Sequence, residues 1–464
     1  MEQLNPPQED LYKLLEQYQN KQYEEAEKLA LLITKKFNEH QFSWKILGSI
    51  LSQTGRKSEA LIINQRAVQL DPRDIEALFN LGNNLQDLKR SVEAEESYRK
   101  ALDIKPDFAE CHANLGNPLR ILGKRKEALD SYKKAIELKP EYIQAHYNLA
   151  TLLSEMNKLE EAELSFKQAI ILNPKYYEAH YSLGLNYQLL GKLNDSEESF
   201  RQALLLKPDS AEVHNNLGVI LKQLGRLKEA EEKYKESIAL KSNFEDPYSN
   251  LGVIFKEMDR LEEAEDILRK ALVINPNNSD TYTNLGVTLQ ELGRLEESIV
   301  FHEQAISLKP DQAKLYNNIG VAYQLLGQVE KADKNFIKAI DIDPDYIDAL
   351  MNRWLVLFER KEFKAALKVA DKCNTETSRL RSLETLFALE RTEEIYQRIA
   401  MQSKIDETNI RVAAFSSFIA NKEKRETEHN FCKKPLDFLY FSNISSHFQD
   451  SSLFIKDVID ELKD

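Results

Sequence analysis

Small and apolar residues return along this chain on a 34-residue clock that starts at residue 41. In the first part of each unit apolar side chains stand at i, i+3, i+4 and i+7, the spacing of an amphipathic helix. The eighth place is small throughout, as Gly48, Gly82, Gly116, Ala150, Gly184, Gly218, Gly252, Gly286 and Gly320, and a leucine, or Ile319 in the last unit, precedes it. Alanine or serine recurs at the twentieth place, from Ala60 to Ala332, and at the twenty-seventh, from Ala67 to Ala339. Between them an aromatic residue usually stands: Tyr98, Tyr132, Phe166, Phe200, Tyr234 and Phe336. Prolines 72, 106, 140, 174, 208, 276, 310 and 344 close the units, and Ser242 fills the one missing slot.

The pattern predicts two amphipathic helices per unit, A and B, joined by a tight turn. Gly55, Gly123, Gly191, Gly225, Gly293 and Gly327 sit where the end of helix A wants a residue with positive φ. The small places let A, B and the next A approach closely. One pair cannot bury its apolar face alone, so neighbours must stack. Nine units span 41–346. Residues 1–40, which keep only Tyr23, Ala26 and Ala30 of the pattern, and 347–374, with Trp354 where glycine is expected, read as degenerate caps. Residues 375–464 lose the period and contain no glycine; helices are predicted at 380–389, 393–401, 408–420 and 453–462, with a charged connector at 421–429. The apolar, aromatic stretch 435–441 reads as a short strand or a docking segment. The fold class is therefore all-α, a solenoid with a small, mainly helical C-terminal appendix. Pro118, inside a helix A, predicts a kink or a short helix, whereas Pro247 falls in a first turn where proline is tolerated.

Trp44, Leu47, Gly48, Ala60, Ala67 and Pro72 match the 34-residue motif of tetratricopeptide repeats, which the nine units resemble. The resemblance implies a right-handed superhelix with the A helices along its concave face, leaving the second, fifth, sixth, ninth, twelfth and thirteenth places available to a ligand. The sixth place reads Asn80, Asn114, Asn148, Ser182, Asn216, Asn250, Asn284, Asn318 and Asn352. An asparagine amide can pair with both the C=O and the N–H of an extended backbone. The row is similar to that of the O-linked N-acetylglucosamine transferase repeat domain, where groove asparagines hold a peptide main chain. Asparagine here is also common in family members with unrelated ligands, so a purely structural role stays open beside the clamping one. The ninth place is polar early, as Ser49, Asn83, Asn117 and Thr151, and then apolar as Leu185, Val219, Val253, Val287 and Val321. That stripe suits either a partner with hydrophobic side chains or packing between A helices. Family members that clamp a chaperone carboxylate use basic residues at the second, fifth and sixth places. Here the second place carries Glu76, Glu110, Gln144, Glu178, Glu212, Asp246 and Asp280, which disfavours that ligand.

Composition removes other classes. The 464 residues carry a net charge of -13 with mixed signs, which argues against a nucleic-acid partner. The chain shows no leader pattern and no apolar run long enough for a membrane span, so a cytoplasmic protein is expected. Cys111, Cys373 and Cys432 are too far apart for a metal knuckle. His112, His146, His180 and His214 recur at the fourth place, one unit apart, too far for shared ligation, and read as packing residues in place of the motif's tryptophan. No metal site, cofactor site or catalytic constellation is found. The sequence thus points to a non-enzymatic scaffold binding an extended or helical segment of other proteins or peptides. The alternative is the substrate-targeting module of a glycosyltransferase, or another enzyme, whose catalytic domain lies on a separate chain or is missing.

Overall fold

In a computed structural model, which describes residues 5–373, 375–402 and 410–425, those residues fold into 25 α-helices and no strand. The expectations for 435–441 and 453–462 lie outside the described residues. Two compact bodies divide the chain, Met1–Ser242 and Asn243–Asp464.

In the first body, helix A of each unit has 13 residues and helix B has 14, from Gln41–Gln53 and Lys57–Leu70 to Ala211–Gln223 and Leu227–Leu240. A preceding pair, Gln8–Gln19 and Tyr23–Lys36, packs against them around Leu14, Ile33, Ile46 and Ile50. The core places the aromatic of helix B on the small residue of helix A: a Cβ added to Gly116 would lie 2.3 Å from the Tyr132 ring. The helix containing Pro118 is not shortened; it runs over Ala109–Ile121, the length of its neighbours, with Pro118 buried inside it. A basic residue at the sixteenth place ties units together by reaching the glutamate at the twenty-first place of the unit before, as in Lys124–Glu95 at 2.8 Å, Lys192–Glu163 at 2.7 Å and Arg226–Glu197 at 2.6 Å.

The second body opens with Glu245–Glu257, whose first turn holds Pro247 as expected. Trp354, in the glycine place of Ile347–Glu359, is buried against Leu350, Leu357, Ala366 and Ala370. The packing continues beyond 374, where Glu376–Ala388 lies against Phe363–Cys373 and is followed by Thr392–Gln402 and Ile410–Lys422. These bounds agree with the predicted segments to within four residues.

Candidate functional site

Within each body the A helices lie side by side: Gln41–Gln53, Ile75–Asp87, Ala109–Ile121, Ile143–Glu155 and Tyr177–Leu189 in the first, Glu245–Glu257, Ser279–Glu291, Ala313–Leu325 and Ile347–Glu359 in the second. Places two, six, nine and thirteen, spaced by four, three and four residues, fall on one face of each helix. Of the asparagines there, Asn148 is buried and the others are half-buried.

Several sixth-place amides are engaged by side chains. Asn80 Nδ2 donates to Ser49 Oγ at 3.1 Å and Asn114 Nδ2 to Asn83 Oδ1 at 2.8 Å, each reaching the ninth place of the previous unit. Asn216 Nδ2 donates to the Tyr181 hydroxyl at 3.0 Å and Asn352 Nδ2 to Asn317 Oδ1 at 2.9 Å, both at the fifth place of the previous unit. Asn148 Oδ1 accepts from Gln144 in its own helix. Asn284 and Asn318 make no side-chain hydrogen bond among the described residues.

The ninth place divides likewise. Asn83 and Asn117 accept from the hydroxyls of Tyr98 and Tyr132, each at 2.7 Å, so these polar members close the top of the aromatic core. Leu185, Val219, Val253, Val287 and Val321 are half-buried. Val321 packs on Ala332, Phe336 and Val356, as inter-helix packing requires.

The fourth-place histidines have a role that periodicity alone did not reveal. Each Nε2 lies 2.8–3.0 Å from the carbonyl of the proline six residues earlier: His112 on Pro106, His146 on Pro140, His180 on Pro174 and His214 on Pro208. Trp44 Nε1 donates to Asn38 O over the same span, at 2.9 Å. In each case the ring N–H satisfies a loop carbonyl two residues past the end of the preceding helix. The register of histidine to closing proline was the available signal. At the second place, Glu110 and Glu212 are held below the ordinary glutamate range, first by Lys139 and Lys241 donating at 2.9 and 2.8 Å from the thirty-first place of the same unit.

Elsewhere the chemistry is quiet. Burial pushes the Cys111 thiol up to about 12, which makes it a poor nucleophile. Among the described residues no group of His, Cys, Asp or Glu is placed to hold a metal, and no helix is long and apolar enough to cross a membrane. An open cleft of about 760 Å³ lies between helices Leu193–Leu206 and Leu227–Leu240, floored by Leu204, Leu217 and Ala239. At its rim Lys233 pairs with Glu236, and Arg201 reaches away from the cleft to Glu197.

Tandem 34-residue helix pairs, closed by proline and stacked through small residues, define a helical repeat protein. Models of the tetratricopeptide repeat match residues 75–108, 143–176, 176–243, 246–278, 267–300 and 313–346, and a TPR repeat model matches 116–157 and 289–327. Together they cover more than half of the chain, which belongs to the tetratricopeptide-repeat family. Proteins of this family serve in general as scaffolds for protein interaction. No curated protein matches the chain. Similar solved structures include a tetratricopeptide repeat protein from Parabacteroides merdae, 23% identical over 53% of this chain and 98% of that one, with a TM-score of 0.43. MamA is 25% identical over 36% of this chain and 97% of its own, with a TM-score of 0.33. The APC/C hetero-tetramer Cut9-Hcn1 is 13% identical over 80% and 95%, with a TM-score of 0.45.

Proposed function

We propose that the chain is a non-enzymatic interaction scaffold whose A-helix layer holds an extended segment of a partner protein. The observation that carries this reading is the row of sixth-place asparagines, which sets an amide in every unit from the second on except the fifth, where Ser182 stands. Helices about 9–10 Å apart and a strand rise of about 3.4 Å put one amide against roughly every third residue of an extended segment. Each contact contributes on the order of 1 kcal/mol net, so holding a segment depends on several together. Helix A of one unit and of the next present the same face, which supports continuous contact within a body.

The test changes Asn216, Asn250, Asn284 and Asn318 together to alanine in the full chain. Partners captured from a native lysate by the parent protein are expected to be lost, while circular dichroism and the unfolding midpoint stay near those of the parent. Undiminished capture by the folded variant would remove the asparagine row from the reading.

A further inference from the structure

The A-helix layer of the second body is built differently from that of the first three units. There, the amides of Asn80 and Asn114 are taken by Ser49 and Asn83, and Asn83 and Asn117 are themselves taken by tyrosine hydroxyls. That floor is a closed polar network. In the second body Asn352 is taken by Asn317, whereas Asn284 and Asn318 keep both donor and acceptor clear of other described side chains, and half-buried Val253 and Val287 stand on the same face. An amide without a partner beside a branched aliphatic side chain offers main-chain hydrogen bonding and an apolar contact at one step.

Charge says what kind of segment fits. The face is bracketed at the second place by exposed Asp246 and Asp280, and at the thirteenth by exposed Glu257 and Glu291. Helix Ile347–Glu359, two units further on, adds exposed Asp348 and Glu359. Against these six carboxylates the same face and its border carry two lysines: Lys256, which lies 3.5 Å from Glu291, and Lys314. Lys309 reaches in to Asp280 at 3.1 Å, and the balance stays acidic. Opposite charge across an interface sets partner choice and encounter rate more than raw affinity.

We infer that residues 245–359 are the part of the scaffold that holds its partner, and that the partner segment is an extended, basic stretch with an aliphatic side chain at about every third residue. This rests on the A-helix layer being the binding face. The asparagines of units two and three tie neighbouring helices instead.

The experiment selects a random 12-residue phage-displayed peptide library on the full chain and measures fluorescein-labelled winners by anisotropy. Enrichment of lysine and arginine with aliphatic residues three apart is expected. Asn284→Ala with Asn318→Ala should weaken the winning peptide about thirtyfold, since two hydrogen bonds of ~1 kcal/mol are lost. Asn80→Ala with Asn114→Ala should leave it within about twofold. The exposed pair Asp246→Lys with Asp280→Lys, which disturbs no core, should also weaken basic peptides, by an amount that shrinks as salt is raised. Selection of acidic or uncharged peptides, or equal loss from both asparagine pairs, overturns the inference and leaves the A-helix face standing. Failure to select any peptide, or winners indifferent to every asparagine change, overturns the inference and the face together.

Discussion

At residue scale the core is governed by one exchange of volume. In most units the eighth place is glycine and the twenty-fourth is a ring, and the ring fills the space a Cβ would need. In Ile347–Glu359 the exchange is reversed: Trp354 takes the eighth place and Ala370 the twenty-fourth, in one buried cluster. Trp354→Gly should cost about 3–5 kcal/mol by the void it leaves, and Ala370→Phe about 1–3 kcal/mol by overpacking. The double variant should recover about 1–3 kcal/mol of their sum, measured by denaturant unfolding. Recovery falls short of complete because Trp354 Nε1 also donates to Thr385 Oγ1 at 2.9 Å. His302 occupies the ring place of its unit with neither nitrogen hydrogen-bonded among the described residues, and burial lowers it from 6.5 to about 4. The folded state therefore excludes the proton that the unfolded chain binds. Stability is complete above about pH 6.5 and is lost as pH falls towards 4, by roughly 2 kcal/mol at pH 5. His302→Phe should flatten that part of the pH profile of the unfolding midpoint.

At element scale the A-to-B turn is the constant feature. Its fifteenth place has positive φ whether it is glycine, as at Gly225 with φ 75, or not, as at Lys89 with φ 60. A Cβ on Gly225 would meet nothing within 4 Å, so Gly225→Ala brings no clash and should cost about 1 kcal/mol, backbone strain less the unfolded-state entropy it removes. Lys89→Gly should gain about half that, the unfolded-state entropy of glycine offsetting the rest. Thermal unfolding of the two variants against the parent checks both signs. The same turn explains what the sequence concealed. Glu376–Ala388 and Ile410–Lys422 have the 13 residues of an A helix, and Glu390 and Lys424 follow them with φ 56 and 54 at the fifteenth place. The repeat's backbone thus persists where its periodic side chains stop: Leu383 stands at the eighth place and Ile395 at the twentieth, so no small-residue clock could mark the unit. Helix spans, turns and the close-packing places were legible because each depends on residues within its own unit. The hydrogen-bond state of the asparagine row was not, because it depends on what stands 31 or 35 residues earlier, Asn83 for Asn114 and Tyr181 for Asn216.

At the scale of the whole molecule, contacts are made almost wholly between neighbours, so stability is a sum over units and interfaces. Where a cation at the sixteenth place meets a glutamate at the twenty-first place of the unit before, the interface is portable. Arg226 meets Glu197 of unit five, and Glu163 stands at the same place in unit four; Asn216 meets Tyr181, and Tyr147 stands at the same place one unit earlier. Deleting residues 177–210 as a block should therefore bring Arg226 to Glu163 and Asn216 to Tyr147 with no new surface to invent. The shortened chain is expected to stay helical and to unfold within a few degrees of the parent, as read by circular dichroism, whereas removing 17 residues of the same unit should not. A protein whose joints are interchangeable can lengthen or shorten by copying one module, and its length becomes a quantity that gene duplication sets without redesigning the fold.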